Sequence, residues 1–424
     1  MRAALRSAFV VARSPAVFGA PASSLRLAGP ADAVIACRRT IRLRSVTTPS
    51  AAPLKEPSRE GPTPSGRFAW IDWYRGLACI LMFQTHAYDA WTREPYRQGA
   101  YWDLARMQLG GFPARMFLML AGVSLMLRYA GDARRGISGW PARRGAMLRG
   151  LEVLAYGLAF RLAEWLLGGA QRRDLPDLFK VDILNCIGVS LVLTALLVGV
   201  EHVKGRRLPV LAGFATLAVV FLTPIIQRWP FPPWLPDAVT AYFWDATPLG
   251  TFPQLPFVAY TLSGAVIGSL WLQAAAKGRL GWTLAVTTAA GAILAVLIQW
   301  GNSRGYALFR PTPAVSIPAF PSSYGYRLGA CLVFAGLSYA WTSLRPQTRF
   351  SPLRTLGQAS LLVYVVHVEM VYGRLTWSLH HRLHPVVVTL LIVALSGLMV
   401  ALAWVRVEIV GKRRWPWRSG PRRG

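Results

Sequence analysis

An all-α, polytopic membrane bundle of about ten transmembrane helices, with both termini cytoplasmic, is expected for this chain. Three observations point to it. Mainly apolar stretches of roughly 20 residues recur from Phe68 onward, each long enough for a helix to span the hydrocarbon layer. The 424 residues are 54% hydrophobic and 15% charged, with a mean hydropathy of +0.36, which is too apolar for a soluble multidomain protein. The basic residues gather in alternate connections, as retention of positive charge on the cytoplasmic side demands.

Residues 1–66 are rich in Arg, Ala, Pro and Ser and have no sustained apolar periodicity, so a disordered basic tail is expected there. The same composition fits an organellar transit peptide, a cytoplasmic tail or an upstream start codon, and these stay open. A transmembrane domain is expected over 67–408, with spans at 70–91, 108–129, 146–168, 181–201, 207–226, 253–274, 281–300, 325–343, 357–378 and 385–406. A basic cytoplasmic tail, 409–424, closes the chain.

The charge in the connections tests this register. Arg134, Arg135, Arg143, Arg144 and Arg149 follow the second span, and Lys204, Arg206 and Arg207 the fourth. Lys277 and Arg279 follow the sixth, and Arg345, Arg349 and Arg354 the eighth. All of these fall on the side of the C-terminal tail; the opposite loops offset their basic residues with Glu94, Asp103, Asp174 and Asp177. Two opposite-side connections are long, 227–252 and 301–324, and rich in Trp, Tyr, Phe and Pro. Trp234, Tyr242 and Trp244 are candidate stacking platforms for a sugar, the competing reading being an aromatic belt at the membrane interface.

A net charge of +29 would raise nucleic-acid binding in a soluble chain, but here the basic residues sit mostly in tails and loops, so nucleic acid is not expected as a partner. Cys37, Cys79, Cys186 and Cys331 show no CxxC spacing, and neither a disulfide framework nor a metal site is supported.

The first span carries the chemistry. Its run IDWYRGLACILMFQTH places Asp72, Arg75 and His86 in an apolar stretch, and ionisable groups at membrane depth are functional candidates by default. Arg75 and His86 are eleven residues apart, which at about 100° per residue returns to nearly one helix face, roughly 16 Å along the axis. His86 is the candidate general base, with Asp89 one turn on to hold its tautomer. Arg75 is a candidate clamp for phosphate, with Asp72 as its alternative internal partner. Arg115 in the second span is a candidate partner for an acidic substrate group. Asp182 and Asn185 in the fourth share a face and are candidates to line a polar cavity; His367 in the ninth, beside Tyr364 and Glu369, is a candidate either to line the same cavity as His86 or to sit at the exterior interface with Glu369. Arg161 and Glu164, three apart, read as an internal ion pair.

The first-span run resembles the opening helix of the type-three membrane acyltransferase superfamily, in which an Arg and a His stand eleven residues apart. FLMLAGVSLML (117–127), VDILNCIGVSL (181–191), FPQLPFVAYTLSGAVIGSLW (252–271) and LGQASLLVYVVH (356–367) are similar to the branch holding heparan-α-glucosaminide N-acetyltransferase and its bacterial relatives. The resemblance implies a multi-pass enzyme, in a bacterial inner membrane, moving an acetyl or other short acyl group from cytoplasmic acyl-CoA to a sugar hydroxyl or amine outside. It implies an acyl-donor role for Arg75, catalysis for His86 and a lesser role for His367. Animal members carry Asn at the position matching His86, so glucosamine specificity is not carried over. No permanently bound cofactor is expected. Acetyl-CoA is the expected co-substrate, with Arg149 joining Arg75 in a basic vestibule; lipid and a glycan or glycolipid acceptor are the expected partners, and a homodimer is left open. A transporter or flippase would also want intramembrane Arg and His, and a scaffold would need no cavity at His86.

Overall fold

The computed structural model describes residues 68–167, 175–197, 207–230, 233–244, 249–305, 321–345 and 350–410. The N-terminal tail, most of the 301–324 connection and the chain beyond 410 lie outside the described residues. Eleven helices are used below: α1 Ala69–Trp91, α2 Phe112–Arg134, α3 Gly139–Leu167, α4 Ile183–Leu197, α5 Arg207–Ile226, α6 Gln254–Ala276, α7 Leu280–Ser303, α8 Pro321–Leu344, α9 Pro352–Gln358, α10 Ser360–Tyr372 and α11 Pro385–Trp404. Among the described residues the only strand-like features are two isolated bridges, Thr92 with Leu383 and Val181 with Gly250.

Five described segments are long and apolar enough to cross a membrane: Gly99–Arg134, Pro209–Ile226, Gln254–Ala276, Leu280–Ser303 and Pro385–Ile409. Their outer faces suit lipid. Phe214 and Phe221 on α5, Ile293 and Val296 on α7, and Leu390 and Val393 on α11 are all exposed, an arrangement that water would penalise. In contrast α1 is flanked by α2, α8, α9, α10 and α11. Surrounded by protein, it needs no lipid-compatible face and can hold Asp72, Arg75, His86 and Asp89.

Glycine lets these helices touch backbone to backbone. A Cβ at Gly76 would run into the Leu353 carbonyl, and one at Gly357 into the Asp72 carbonyl, so α1 and α9 are pinned by a reciprocal pair. Gly122 and Gly264 do the same for α2 and α6, each facing a carbonyl of the other helix. Such contact replaces the hydrophobic drive that is missing between helices in lipid.

Three expected spans are drawn differently: the third, expected at 146–168, begins at Gly139. The second was expected to begin at 108, but α2 begins at Phe112, after a π-type turn over Asp103–Gln108 and a 3-10 turn over Leu109–Gly111. Pro113, lacking an N–H, fits the first turn of α2. The ninth, expected to be continuous over 357–378, is broken. Helix α9 starts with Ser351, whose side chain accepts from the Arg354 N–H, and breaks at Ala359; α10 stops at Gly373, whose backbone is extended. The break lets α9 cross α1 at Gly357 while α10 runs beside His86.

The C-terminal end of α1 is tied down by two crossing segments. His381 and Leu383 donate backbone N–H bonds to Ala90 and Trp91, and the Trp91 indole donates to the Val371 carbonyl at 3.2 Å. On the other side the Gln84 side-chain amide donates to the Ala105 carbonyl. His86 therefore sits beneath ordered chain and not at a frayed helix end.

Candidate active site

Helix α1 supplies His86 and α10 supplies His367. The His86 Nδ1 lies 2.9 Å from His367 Nε2, with the rings stacked at 9° and 5.1 Å between centroids. His367 Nδ1 lies 3.1 Å from the Val363 carbonyl oxygen, one helical turn back. A carbonyl only accepts, so His367 Nδ1 carries the hydrogen. His367 is fully buried between the Phe83 and Tyr364 rings, and no carboxylate bonds it among the described residues. With that ring neutral, its Nε2 lone pair accepts from His86 Nδ1–H, and the lone pair of His86 is left on Nε2. Nε2 makes no hydrogen bond among the described residues, so it is the atom able to take a substrate proton.

Asp89, expected to hold the His86 tautomer, does not bond it. Its Oδ1 accepts from Arg106 Nε at 3.0 Å and from Arg97 at 3.4 Å, and its Oδ2 accepts from the Tyr372 hydroxyl at 2.9 Å. Both oxygens are thereby taken by groups that fasten the 97–106 segment and α10 to α1. The orienting contact comes instead from His367, which was expected either to line the same cavity as His86 or to sit at the exterior interface. Asp89 acts on His86 through space alone, and the Tyr372 ring edges against the His86 ring at 5.5 Å.

Arg75 lies near the other end of α1. One of its terminal nitrogens meets Asp72 at 3.2 Å and the Gly357 carbonyl at 3.5 Å, while Gln358 donates to the second Asp72 oxygen at 3.3 Å. Its remaining nitrogens have no partner among the described residues, and its side chain is 26% exposed, so a bidentate face is open. Arg149, expected beside it, is on α3 in an exposed pair with Glu152 at 2.7 Å. No described contact joins the two arginines.

Helices α3, α4 and α10 bring a third group together. The Arg161–Glu164 pair forms as the spacing suggested. Glu164 is near enough to Asp182 and Glu369 for their charges to act on one another, and Tyr364 faces the same group and touches His367. Asp182 Oδ1 accepts from the Asn185 N–H at 3.0 Å, whereas Asp182 Oδ2, Asn185 Oδ1 and Glu369 Oε1 are buried with no partner among the described residues. Three such acceptors in one place call for a ligand or water that donates.

The aromatic candidates part company. Trp234 is 79% exposed. Tyr242 is half-buried against Val181, Ala241 and Leu249, within electrostatic reach of Asp182, and burial and that charge raise its phenol above the usual value. Trp244 packs against Phe243 at 6.1 Å. Arg115 lies over the Phe257 ring at 5.1 Å and donates to the Gly111 carbonyl.

Sequence reasoning missed Arg106, Tyr372 and Arg327. Arg327 had a usable signal, a charge inside an expected span. Arg106 and Tyr372 had none, since a basic loop residue and a helix-end tyrosine are ordinary.

A model of the family described as heparan-alpha-glucosaminide N-acetyltransferase, catalytic, matches residues 67–302. That stretch holds Arg75, His86, Asp89, Arg115, Asp182 and Asn185 and stops short of Arg327 and His367. No curated protein matches the chain.

Proposed function

The chain belongs to the heparan-α-glucosaminide N-acetyltransferase catalytic family, and on that premise we propose that it carries an acetyl group from cytoplasmic acetyl-CoA to a sugar hydroxyl or amine on the far side of the membrane. The observation that carries the mechanism is the His86–His367 bond, which leaves Nε2 of His86 as the proton acceptor. In direct transfer the acceptor oxygen or nitrogen attacks the thioester carbonyl while His86 Nε2 takes its proton. The new C–O or C–N bond forms as the C–S bond breaks, and the proton passes to the departing thiolate. His86 ends as it began, and a thioester needs no metal for this attack.

The donor enters at Arg75, whose open guanidinium edge suits a phosphate of coenzyme A. The pantetheine arm then runs along α1 to His86, roughly 16 Å further on. The acceptor approaches from the other end, its hydroxyls donating to Asp182, Asn185 and Glu369, with Tyr242 and Trp244 behind them and Trp234 outermost. This arrangement requires the expected ten-span topology with cytoplasmic termini, in a bacterial inner membrane. Use of the same Arg and His for transport has no support from the family match.

Purified protein in detergent, given radiolabelled acetyl-CoA and a panel of amino sugars and glycans, tests the proposal. His86→Ala is expected to lower transfer by about 10²–10⁴-fold, the usual worth of a general base. Transfer by that variant at the full rate removes His86 from the mechanism.

A further inference from the structure

Two arginines inside the bundle have no counter-charge among the described residues. Arg115 on α2 and Arg327 on α8 lie close enough to repel one another, and neither forms an ion pair with a carboxylate among the described residues. Each is propped on rings: Arg115 over Phe257 and Tyr260 at 5.1 and 5.9 Å, Arg327 over Phe112 at 5.9 Å. Arg115 Nε and Arg327 Nη1 are buried with no hydrogen-bond partner among the described residues. Arg115 donates to the Gly111 carbonyl and bonds the Tyr260 hydroxyl, but ring faces supply no lone pair for Arg115 Nε or Arg327 Nη1, so those two N–H groups and the positive charge remain unanswered together. The backbone makes room for them, because a Cβ at Gly111 would overlap the Arg327 guanidinium.

We propose that Arg115 and Arg327 jointly bind an oxoanion, a carboxylate, sulfate or phosphate group, carried by the acceptor. The fork of a guanidinium matches such a group, and two within electrostatic reach of one another offer it more positive charge than one. The assignment to the acceptor rests on the reading that the donor enters at Arg75. Gly110, beside Gly111, packs on Thr85, the residue before His86. The pair therefore stands at the level of His86, about 15 Å along α1 from Arg75. Phosphates held at Arg75 would be at the wrong end, so an anion at this pair comes with the acceptor.

Equilibrium binding of radiolabelled sulfate to the purified full-length protein, at constant ionic strength in chloride, is the test. Wild type is expected to bind sulfate saturably. Arg115→Gln and Arg327→Gln should each weaken binding at least tenfold, and Arg327→Lys, which keeps the charge but not the fork, should weaken it less. Saturating CoA, which occupies Arg75, should leave the sulfate binding that depends on Arg115 and Arg327 unchanged. Absence of saturable sulfate binding in wild type, or unchanged binding in Arg327→Lys and both Gln variants, would overturn the site. Displacement by CoA of the sulfate whose binding depends on Arg115 and Arg327 would overturn its assignment to the acceptor, whereas sulfate lost from Arg75 would be lost equally in the Arg115 and Arg327 variants. Sulfate binding needs no turnover, so a failure to transfer acetyl groups with sulfate binding intact counts against the proposed reaction and not against this pair.

Discussion

Replacing His367 separates orientation of the base from the base itself. His367 touches His86 through one bond of 2.9 Å, and its own ring is fixed by the 3.1 Å bond to Val363. In His367→Ala the Nδ1–H of His86 loses its acceptor in a buried setting, a loss of about 1–3 kcal/mol. If all of it falls on the reactive orientation, kcat drops by about 5- to 150-fold, since each 1.4 kcal/mol is tenfold in rate. That reaches at most the low end of the roughly 10²–10⁴-fold loss expected when the base itself is removed. The KM for acetyl-CoA should hardly move, because Arg75 is at the other end of α1. His367→Gln places an acceptor oxygen near the former Nε2 and fills most of the volume, so it should recover much of kcat. His367→Asn, whose amide reaches only the Nδ1 position, should not. Initial rates of acetyl transfer against acetyl-CoA concentration, with unfolding temperature as the control for packing, give the answer. The reasoning is refuted if Ala matches wild type in kcat, or if Gln and Asn are equally poor while all variants remain folded.

Arg75→Gln should raise KM for acetyl-CoA by about tenfold with little change in kcat, the low end for a charge-assisted bond because this side chain is partly exposed; steady-state kinetics would show it, and an unchanged KM would move the donor elsewhere. Gly76→Ala forces a methyl against the Leu353 carbonyl and should cost about 1–3 kcal/mol, read as a lower unfolding temperature in detergent, with Gly213→Ala, in open space inside α5, as the control that does not lower it. Asp89→Asn weakens the hold on Arg97 and Arg106, so hydrogen exchange over residues 97–108 should accelerate while exchange in α7 stays as it was; equal protection in both proteins would show that the segment is held by other contacts.

Much of the bundle was readable from composition and periodicity. The expected spans fall on α1 to α8, on the α9–α10 pair and on α11, because lipid and buried helices both demand long apolar runs. The Arg75–His86 stripe was readable for a local reason, since both residues lie on one helix and its geometry fixes their spacing. One reading of His367 placed it in the same cavity as His86, and the two meet, but their bond was not foreseen, and the readings of Asp89 and Arg149 failed because the answer lay in another helix or loop. Asp89 was assigned to His86 on nearness in sequence, and Arg97, Arg106 and Tyr372, brought in by a loop and by α10, take both its oxygens. Arg149 was grouped with Arg75 as a basic neighbour, yet α3 carries it to an exposed pair with Glu152. The break at Ala359 was unreadable because the close approach of Gly357 to the Asp72 carbonyl beside it depends on α1, and a glycine there alone does not say which helix it meets.

Local rules therefore suffice for what one segment does alone: an apolar run must pair its own backbone hydrogen bonds in lipid, and charges eleven residues apart share a helix face. They cannot say which side chains meet. His86 and His367 are 281 positions apart, and their bond exists because two glycine contacts, a broken helix and two crossing segments bring α10 against α1. Which nitrogen of His86 is free to accept a proton follows from that meeting, because a proton on a buried ring goes where its neighbours leave room for it.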